Sequence, residues 1–301
     1  MKLSVIMPVF DAEAWVGEAI ESILAQTLRD WELICVDDGS EDRSAAILEE
    51  YAQKDERISV VRRAHENAGA ARNAGLEKAK GEWLIFLDSD DVFAPRMFEA
   101  MVEAGDESAA DVVVCGEENR IIERPVESVD IYSRWVGWAW DKMFRREFIE
   151  RTGLRFQEIR SSNDARFTYS ALAMAGRVVE VGEKFVDHRA RTGSLERTRE
   201  KEPLCILKAI ERIRGDLVES GLMASVAGLE EKFKRWQVGI LYWHLIAPGL
   251  GKGRKELYGA IEDREVRRKV RRLIWAKRIK RFMPEKVFNT VKAMRKRAIK
   301  G

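Results

Sequence analysis

Acidic side chains follow three short apolar runs in the N-terminal third of the chain. They are Asp11, Asp37, Asp38, Asp88, Asp90 and Asp91. Alternate residues of an extended chain point to the same side, so Asp88 and Asp90 can face one cation together. Carboxylate oxygens suit Mg²⁺ or Mn²⁺, which bind few carboxylates together with waters and substrate phosphates. Helix N-caps account for some of these aspartates, but six carboxylates at one rim repel each other unless a cation lies among them. The pattern therefore predicts a divalent cation and a ligand that carries phosphate.

The apolar runs alternate with segments of helical period, and this alternation predicts the elements that position the aspartates. Predicted strands cover 3–9, 33–36, 58–61, 83–87 and 112–115, and predicted helices cover 13–27, 43–54, 67–80 and 96–104. This alternation is typical of an α/β fold with an open, mostly parallel sheet and helices on both faces. Ligands bind at the carboxyl ends of the strands in such a sheet, where these aspartates lie.

Beyond residue 120 the pattern loosens, although a helix is predicted at 166–175 and an edge strand at 177–186. The chain beyond residue 200 has a helical period throughout. We expect a catalytic domain over residues 1–200, with halves at 1–115 and 116–200, and then a helical, basic region over 201–301.

Several function classes lack their motifs in this chain. No G-x-G-x-x-G follows the first predicted strand and no G-x-x-x-x-G-K-[ST] occurs, which disfavours dinucleotide oxidoreductases and P-loop enzymes. The cysteines Cys35, Cys115 and Cys205 are widely spaced, so neither a disulfide framework nor a zinc site is predicted. With no secretory leader pattern or apolar span, we expect a cytoplasmic protein.

Charge is divided unevenly along the chain. Residues 252–300 carry 19 basic and 5 acidic side chains, whereas the rest of the chain has a net charge of −12. Within 264–281 apolar residues alternate with basic ones, which predicts an amphipathic helix with a cationic face. Such a helix can bind anionic lipid at the inner face of the cell membrane through residues 264–300, or pack on the protein body by its apolar stripe. Nucleic acid is not an expected partner, because the remainder of the chain is acidic.

Three ordered segments together resemble the catalytic domain of the family 2 glycosyltransferases. The segments are SVIMPVFDAEAWVGEAIESILAQT, WELICVDDGSEDRS and NAGAARNAGLEKAKGEWLIFLDSDD. The resemblance is close over residues 1–115 and weaker to about residue 195. It implies a GT-A fold and transfer of a sugar from a nucleotide diphosphate donor, with inversion at the anomeric carbon and a Mn²⁺ or Mg²⁺ cofactor. The expected partners are a nucleotide-sugar, for which UDP is the favoured nucleotide, and a glycan or lipid-linked acceptor, as in surface polysaccharide synthesis.

The resemblance also implies roles for residues on the donor side. Pro8, Val9, Phe10 and Asp11 would line the base and ribose, although Phe10 and Asp11 stand where Tyr-Asn is frequent in the family. Asp38 would bond the base, and Gly69 and Arg72 of the AARNAG region would approach the diphosphate or sugar. Asp90 would ligate the metal, with Asp88 and Ser89 at the ribose or the metal shell. Arg191 and Ser194 match the flexible loop over the phosphates.

On the acceptor side the family has a Glu-Asp pair followed by an aromatic residue. Here Asn163-Asp164 and Phe167 match it, so the resemblance implies Asp164 as the catalytic base, with Asn163 in place of the common Glu. The alternative for Asp164 is a solvated aspartate at a helix start. Of the clustered Trp135, Trp138 and Trp140, two are predicted to be in the core, while Trp140 and Lys142 are candidates for the acceptor side.

Two other functions stay open at this point. One is a nucleotide-sugar-binding scaffold that has lost turnover and is recruited to the membrane surface. The second is a nucleotidyltransferase, which shares a parallel sheet and paired carboxylates, but its Gly-rich basic N-terminal loop is absent.

Overall fold

This computed structural model describes residues 1–116, 118–183, 185–187, 200–247 and 250–282, the side chains of 278–282 excepted. The strands are β1 (Leu3–Val9), β2 (Trp31–Asp37), β3 (Ile58–Arg62), β4 (Trp83–Phe86), β5 (Val92–Phe93), β6 (Val112–Cys115), β7 (Arg120–Glu123), β8 (Lys142–Arg145), β9 (Arg177–Val181) and β10 (Val186–Asp187).

Helices separate most of these strands and also form the C-terminal part. They are α1 (Val16–Leu24), α2 (Ser44–Lys54), α3 (Ala68–Leu76), α4 (Met97–Glu107), α5 (Pro125–Ser128), α6 (Ile131–Arg134), α7 (Arg146–Thr152), α8 (Asn163–Met174), α9 (Cys205–Glu219), α10 (Leu222–Ser225), α11 (Leu229–Ile246), α12 (Gly253–Gly259) and α13 (Arg264–Phe282).

The main sheet has eight strands in the order β3-β2-β1-β4-β8-β6-β9-β7, and β5 pairs with β10 beside it. The strands from β3 to β4 are all parallel, with Leu3 opposite both Trp31 and Trp83. In the second half β8 is antiparallel to β4 and β6, whereas β6 and β9 are parallel. The carboxyl ends of β1, β2, β4, β6 and β9 therefore lie along one edge of the sheet.

The central strands are apolar on both faces because helices cover both. Val5 and Met7 of β1 belong to the core cluster on one side, and Ile6 belongs to the cluster on the other. This alternation results from the period of two along a strand. The second cluster also contains Phe86, Ile213 of α9 and Val270 of α13, so the C-terminal helices share a core with one face of the sheet.

Two strand expectations for the second half were wrong. Residues 177–186 do not form an edge strand, because β9 ends at Val181 and β7 covers its outer side. Neither β7 nor β8 was predicted from the sequence. β7 has only one buried residue, Ile122, and β8 contains Lys142, so neither has the apolar pattern of the earlier strands.

The α13 helix is amphipathic as expected. Val266 and Val270 are buried, whereas Leu273 and Trp275 are 41% and 49% exposed among basic side chains. In the part of the chain that the structure describes, no helix is both long and apolar enough to cross a membrane.

Candidate active site

Arg72 is the centre of the site, and it joins segments that are far apart in the sequence. It lies on α3, whose N-cap Asn67 accepts a hydrogen bond from the Ala70 N–H at 3.0 Å. The buried guanidinium donates to the Asn163 side-chain oxygen at 2.8 Å and to a carboxylate oxygen of Asp88. Its Nε–H is buried and has no hydrogen-bond partner among the described residues. A buried cationic donor of this kind suits a phosphate oxygen.

Gly69 allows α3 to approach the chain that precedes α8. A Cβ at this position would lie 2.1 Å from the carbonyl oxygen of Gln157. No side chain fits there, so the glycine brings Arg72 within reach of Asn163.

The segment from Asp88 to Asp91 follows β4 after one residue, Leu87, at the carboxyl edge of the sheet. Ser89 and Asp91 are buried, while Asp88 and Asp90 are partly exposed. The described residues contain no group of three or more acidic, His or Cys side chains that could enclose a metal. One or two carboxylates fit a Mg²⁺ or Mn²⁺ ion that completes its shell with waters and substrate phosphates. Asp90, with Asp88 beside it, would hold such an ion.

Asp164 occupies the first turn of α8, and it lies close enough to Arg72 and Asp88 to sense their charges. Its pKa is raised to about 6, first by burial and then by the negative charge of Asp88, against the opposing effect of Arg72. A carboxylate with a pKa near neutrality is suited to accept a proton at physiological pH. The preceding Ser162 has a left-handed backbone, with φ of 58°, which begins α8 at this point.

Asn163 is buried at the same helix start and contacts Arg72. Because the Asn163 amide is uncharged, it accepts a hydrogen bond from the guanidinium and adds no further negative charge beside Asp88 and Asp164.

The edge formed by β1 and β2 carries the residues expected at the nucleotide. Asp38 is 2% exposed, and its carboxylate accepts from the Glu66 N–H at 3.2 Å and contacts Arg63 and His65. Burial raises the pKa of Asp38, and these partners oppose the shift. Phe10 stacks on His65 with ring centroids 3.9 Å apart and remains 39% exposed.

The neighbouring residues of β1 contribute through the backbone. Pro8 and Val9 are buried, and the Val9 carbonyl accepts from the Asp38 N–H at 2.8 Å. Asp11 has a left-handed φ of 45°, and its side chain accepts from the Glu41 N–H at 2.9 Å. Asp11 therefore holds the chain ends of β1 and β2 together.

Lys142 differs from its expected place at the acceptor. Its side chain has no exposed surface, and its ammonium donates to the carbonyls of Val136 and Trp138 at 2.8 and 2.9 Å and to Asp141 at 2.6 Å. Lys142 thus fixes the loop before β8. A buried ammonium needs such partners, which is why it adopts this position.

Only one of the three tryptophans lies deep in the core. Trp135 is 5% exposed, and its Nε1–H donates to Glu180 at 2.6 Å. Trp138 is 39% exposed and stacks on the part-buried Trp140, with centroids 4.9 Å apart. The expectation of two core tryptophans was wrong for Trp138, because the loop turns this ring outward.

Arg191 and Ser194 lie outside the described residues. Two further side chains at the site were not predicted from the sequence. They are His65, which orders Asp38 and Phe10, and Phe156, whose ring lies 5.4 Å from the Arg72 guanidinium. Neither residue is part of a recognisable sequence motif, so only their contacts in the structure show that they are at the site.

Comparisons with known proteins find related sequences and structures. The sequence model described as Glycosyl transferase family 2 matches residues 4–157. The "Uncharacterized glycosyltransferase EpsJ" of Bacillus subtilis is 34% identical over 214 residues, which are 64% of this chain and 62% of that relative. The chain thus spans less than two thirds of the length of that relative.

Solved structures share the fold. TarS residues 1–349 from S. aureus, in complex with UDP-GlcNAc, has a TM-score of 0.62 at 20% identity and covers 90% of both chains. The mannosyltransferase PcManGT from Pyrobaculum calidifontis, in complex with GDP-Man and Mn²⁺, has a TM-score of 0.59 at 16% identity and covers 97% of this chain and 83% of its own. The expectation of an α/β fold of the GT-A type with a C-terminal helical extension is confirmed.

Proposed function

The chain belongs to glycosyltransferase family 2, and we propose that it moves a sugar from a UDP-linked donor to a hydroxyl of a glycan or lipid-linked acceptor, with inversion. The observation that carries this proposal is the position of Arg72, which contacts both the Asp88-Ser89-Asp90 segment and the start of α8. These contacts bring a buried guanidinium, which in this proposal binds the donor phosphates, close to a carboxylate of raised pKa. The complexes of TarS with UDP-GlcNAc and of PcManGT with GDP-Man support a nucleotide-sugar donor.

In this proposal Asp164 is the base. Its carboxylate accepts the proton of the acceptor hydroxyl as that oxygen attacks the anomeric carbon. Direct displacement needs a single base on the face opposite the leaving group, and in this proposal Asp164 has that role. A pKa of about 6 leaves Asp164 mostly ionised at neutral pH, yet basic enough to take the proton.

The departing diphosphate requires positive charge. Arg72 supplies a fixed guanidinium with a buried Nε–H that has no partner in the described part of the chain. A divalent ion held by Asp90 and Asp88 would supply further charge stabilisation when bound. We assign Phe10 and Asp38 to the nucleotide, because an exposed ring and an ordered carboxylate suit a base and ribose.

Release of diphosphate from UDP-sugars with Mn²⁺ tests the proposal. We expect the native chain to release UDP, and Asp90→Ala to lose at least tenfold of this activity. Asp30→Asn is the matched control, because Asp30 is exposed and lies before β2, at the opposite edge of the sheet. Nucleotide binding without UDP release with any acceptor would contradict the proposal and favour a binding scaffold.

We also propose that α13 attaches the protein to anionic lipid, which would place it at the inner face of the cell membrane. Its buried stripe of Val266 and Val270 packs on the body, so the surface open to lipid is the opposite one, which carries the exposed Arg271, Arg272 and Trp275. Basic residues beside an exposed tryptophan are typical of interfacial helices.

A further inference from the structure

A cavity of about 870 Å³ opens beside the candidate active site, at the carboxyl ends of β6 and β9. Cys115 and Gly116 line it at the end of β6, and Glu180 and Glu183 line it at the end of β9. The loop before β8 contributes further lining residues, among them Trp138 and Trp140. These strand ends lie along the same edge of the sheet as Asp88 and Asp164. The volume is in the range of pockets that hold small organic ligands.

The loop before β8 gives this cavity an aromatic wall. Trp138 and Trp140 both line it, and their rings are nearly parallel, with an interplanar angle of 19°. A sugar ring has an apolar face of C–H groups and an edge of hydroxyls. Such a ring can place its face on an indole and its hydroxyls on polar side chains, whereas a phosphate group gains nothing from an indole.

The charges of the described lining residues disfavour an anionic ligand. Two of the carboxylates are neutralised locally, since Glu180 bonds Arg134 and Asp141 bonds the buried Lys142. The described lining has three further carboxylates, those of Glu118, Glu183 and Asp187. Against them it has one further cation, Arg120. A polyanionic chain would meet net negative charge from the described lining residues, and like charges brought together in a partly buried site repel.

The aromatic wall is held in place by the helix that carries Asp164. Tyr169 of α8 donates its hydroxyl to the Trp135 carbonyl at 3.1 Å, and its ring lies under Gly137. Lys142 bonds the carbonyls on either side of Gly137. The loop that forms the wall of the cavity is therefore in contact with the helix that carries the proposed base.

We propose that this cavity binds the acceptor as an uncharged saccharide, with a ring against Trp138, and that it rejects phosphate-bearing or uronic acid-bearing polymers. This proposal rests on the proposed function, because an acceptor site has meaning only beside a sugar-transfer site.

Binding of the full-length chain to an array of neutral, sulfated, phosphorylated and uronic acid-containing glycans tests the proposal. We expect the bound set to consist of neutral glycans. Trp138→Ala is expected to weaken that binding roughly tenfold, whereas Trp138→Phe retains most of it. Trp243→Ala is the matched control, because Trp243 has a similar exposure of 45% but lies on α11. Glu183→Gln combined with Asp187→Asn should admit anionic glycans that the native chain rejects.

The outcomes separate the two proposals. A bound set dominated by anionic glycans, no bound glycan, or equal binding by Trp138→Ala and the native chain would each overturn the acceptor proposal. A different result would refute the proposed function and leave the cavity as a saccharide site. In that result the native chain neither binds nor hydrolyses UDP-sugars, yet it binds neutral glycans in a way that depends on Trp138.

Discussion

The two halves of the carboxyl edge of the sheet use different chemistry. At β1, β2 and β4 the side chains are charged and joined by ion pairs, as between Arg72 and Asp88. At β6, β8 and β9 the wall is aromatic, and beside it the buried carboxylate of Glu180 pairs with the partly exposed Arg134. The first surface suits a polyphosphate and a cation, and the second suits an uncharged ring. Variants in the two halves should therefore separate donor effects from acceptor effects.

The largest expected effect is that of Asp164→Asn. We expect kcat to fall by roughly 10²- to 10⁴-fold, since the amide cannot accept a proton. Donor affinity should remain within twofold, because the proposal assigns Asp164 to the acceptor hydroxyl and not to the donor. Steady-state rates and donor titration measure this, with the exposed Glu147→Gln as control. Full activity in Asp164→Asn would remove the base from the proposal.

Arg72→Lys should affect the donor half alone. Lysine keeps the positive charge but lacks the planar guanidinium fork and the Nε–H of arginine, so we expect kcat/KM for the donor to fall by roughly 10²-fold. Binding of neutral glycans should be unchanged. If Arg72→Lys weakened glycan binding as much as it weakened donor binding, the two halves of the sheet edge would not act independently.

The pH dependence is the next largest effect. Because the pKa of Asp164 is raised to about 6, transfer should fall about tenfold for each pH unit below that value. The contribution of Asp164 to the stability of the folded protein changes with pH in the opposite direction from activity. The folded state binds the Asp164 proton more tightly than the unfolded state, so this stabilisation is present below about pH 4 and is lost as the pH rises through 6. The melting temperatures of the native chain and of Asp164→Asn should therefore be most similar at pH 4. As the pH rises to 7, the native chain should lose stability relative to the variant. A flat difference would contradict the raised pKa.

Glu180→Gln should affect the acceptor half by a smaller amount. The change leaves Arg134 without its buried anionic partner, and we expect a loss of about 1–3 kcal/mol in the free energy of unfolding. KM for the acceptor should rise while donor affinity stays constant. Denaturant unfolding measures the first effect, and Glu123→Gln, at an exposed carboxylate, is the control. A donor defect would show that this pair supports both halves.

The smallest effect concerns α13, which lies outside both halves. Arg271→Glu with Arg272→Glu should reduce flotation with anionic vesicles several-fold, since each basic residue near the surface contributes about 1 kcal/mol. Transfer to a soluble acceptor should not change. Equal flotation of the variant and the native chain would exclude a role for this helix face.

The parallel half of the sheet could be predicted because its evidence is local. Leu3–Val9 is an unbroken apolar run that ends in polar residues, and this pattern indicates a strand buried on both faces. The same pattern predicts the positions of Asp88 and Asp90 at the end of β4. The second half could not be read in this way, because β8 includes a buried lysine and β7 exposes three of its four residues.

By itself the sequence determined which residues end the parallel strands, because each apolar run and the polar residues after it are adjacent in the chain. It also determined the family, through three ordered motifs. Only the tertiary structure decided that Arg72 contacts Asn163, 91 residues away, that Lys142 points into the protein and that Trp138 points outward. Those contacts depend on which strands pair and how closely α3 approaches α8, and pairing is a property of packed surfaces that no local spacing records.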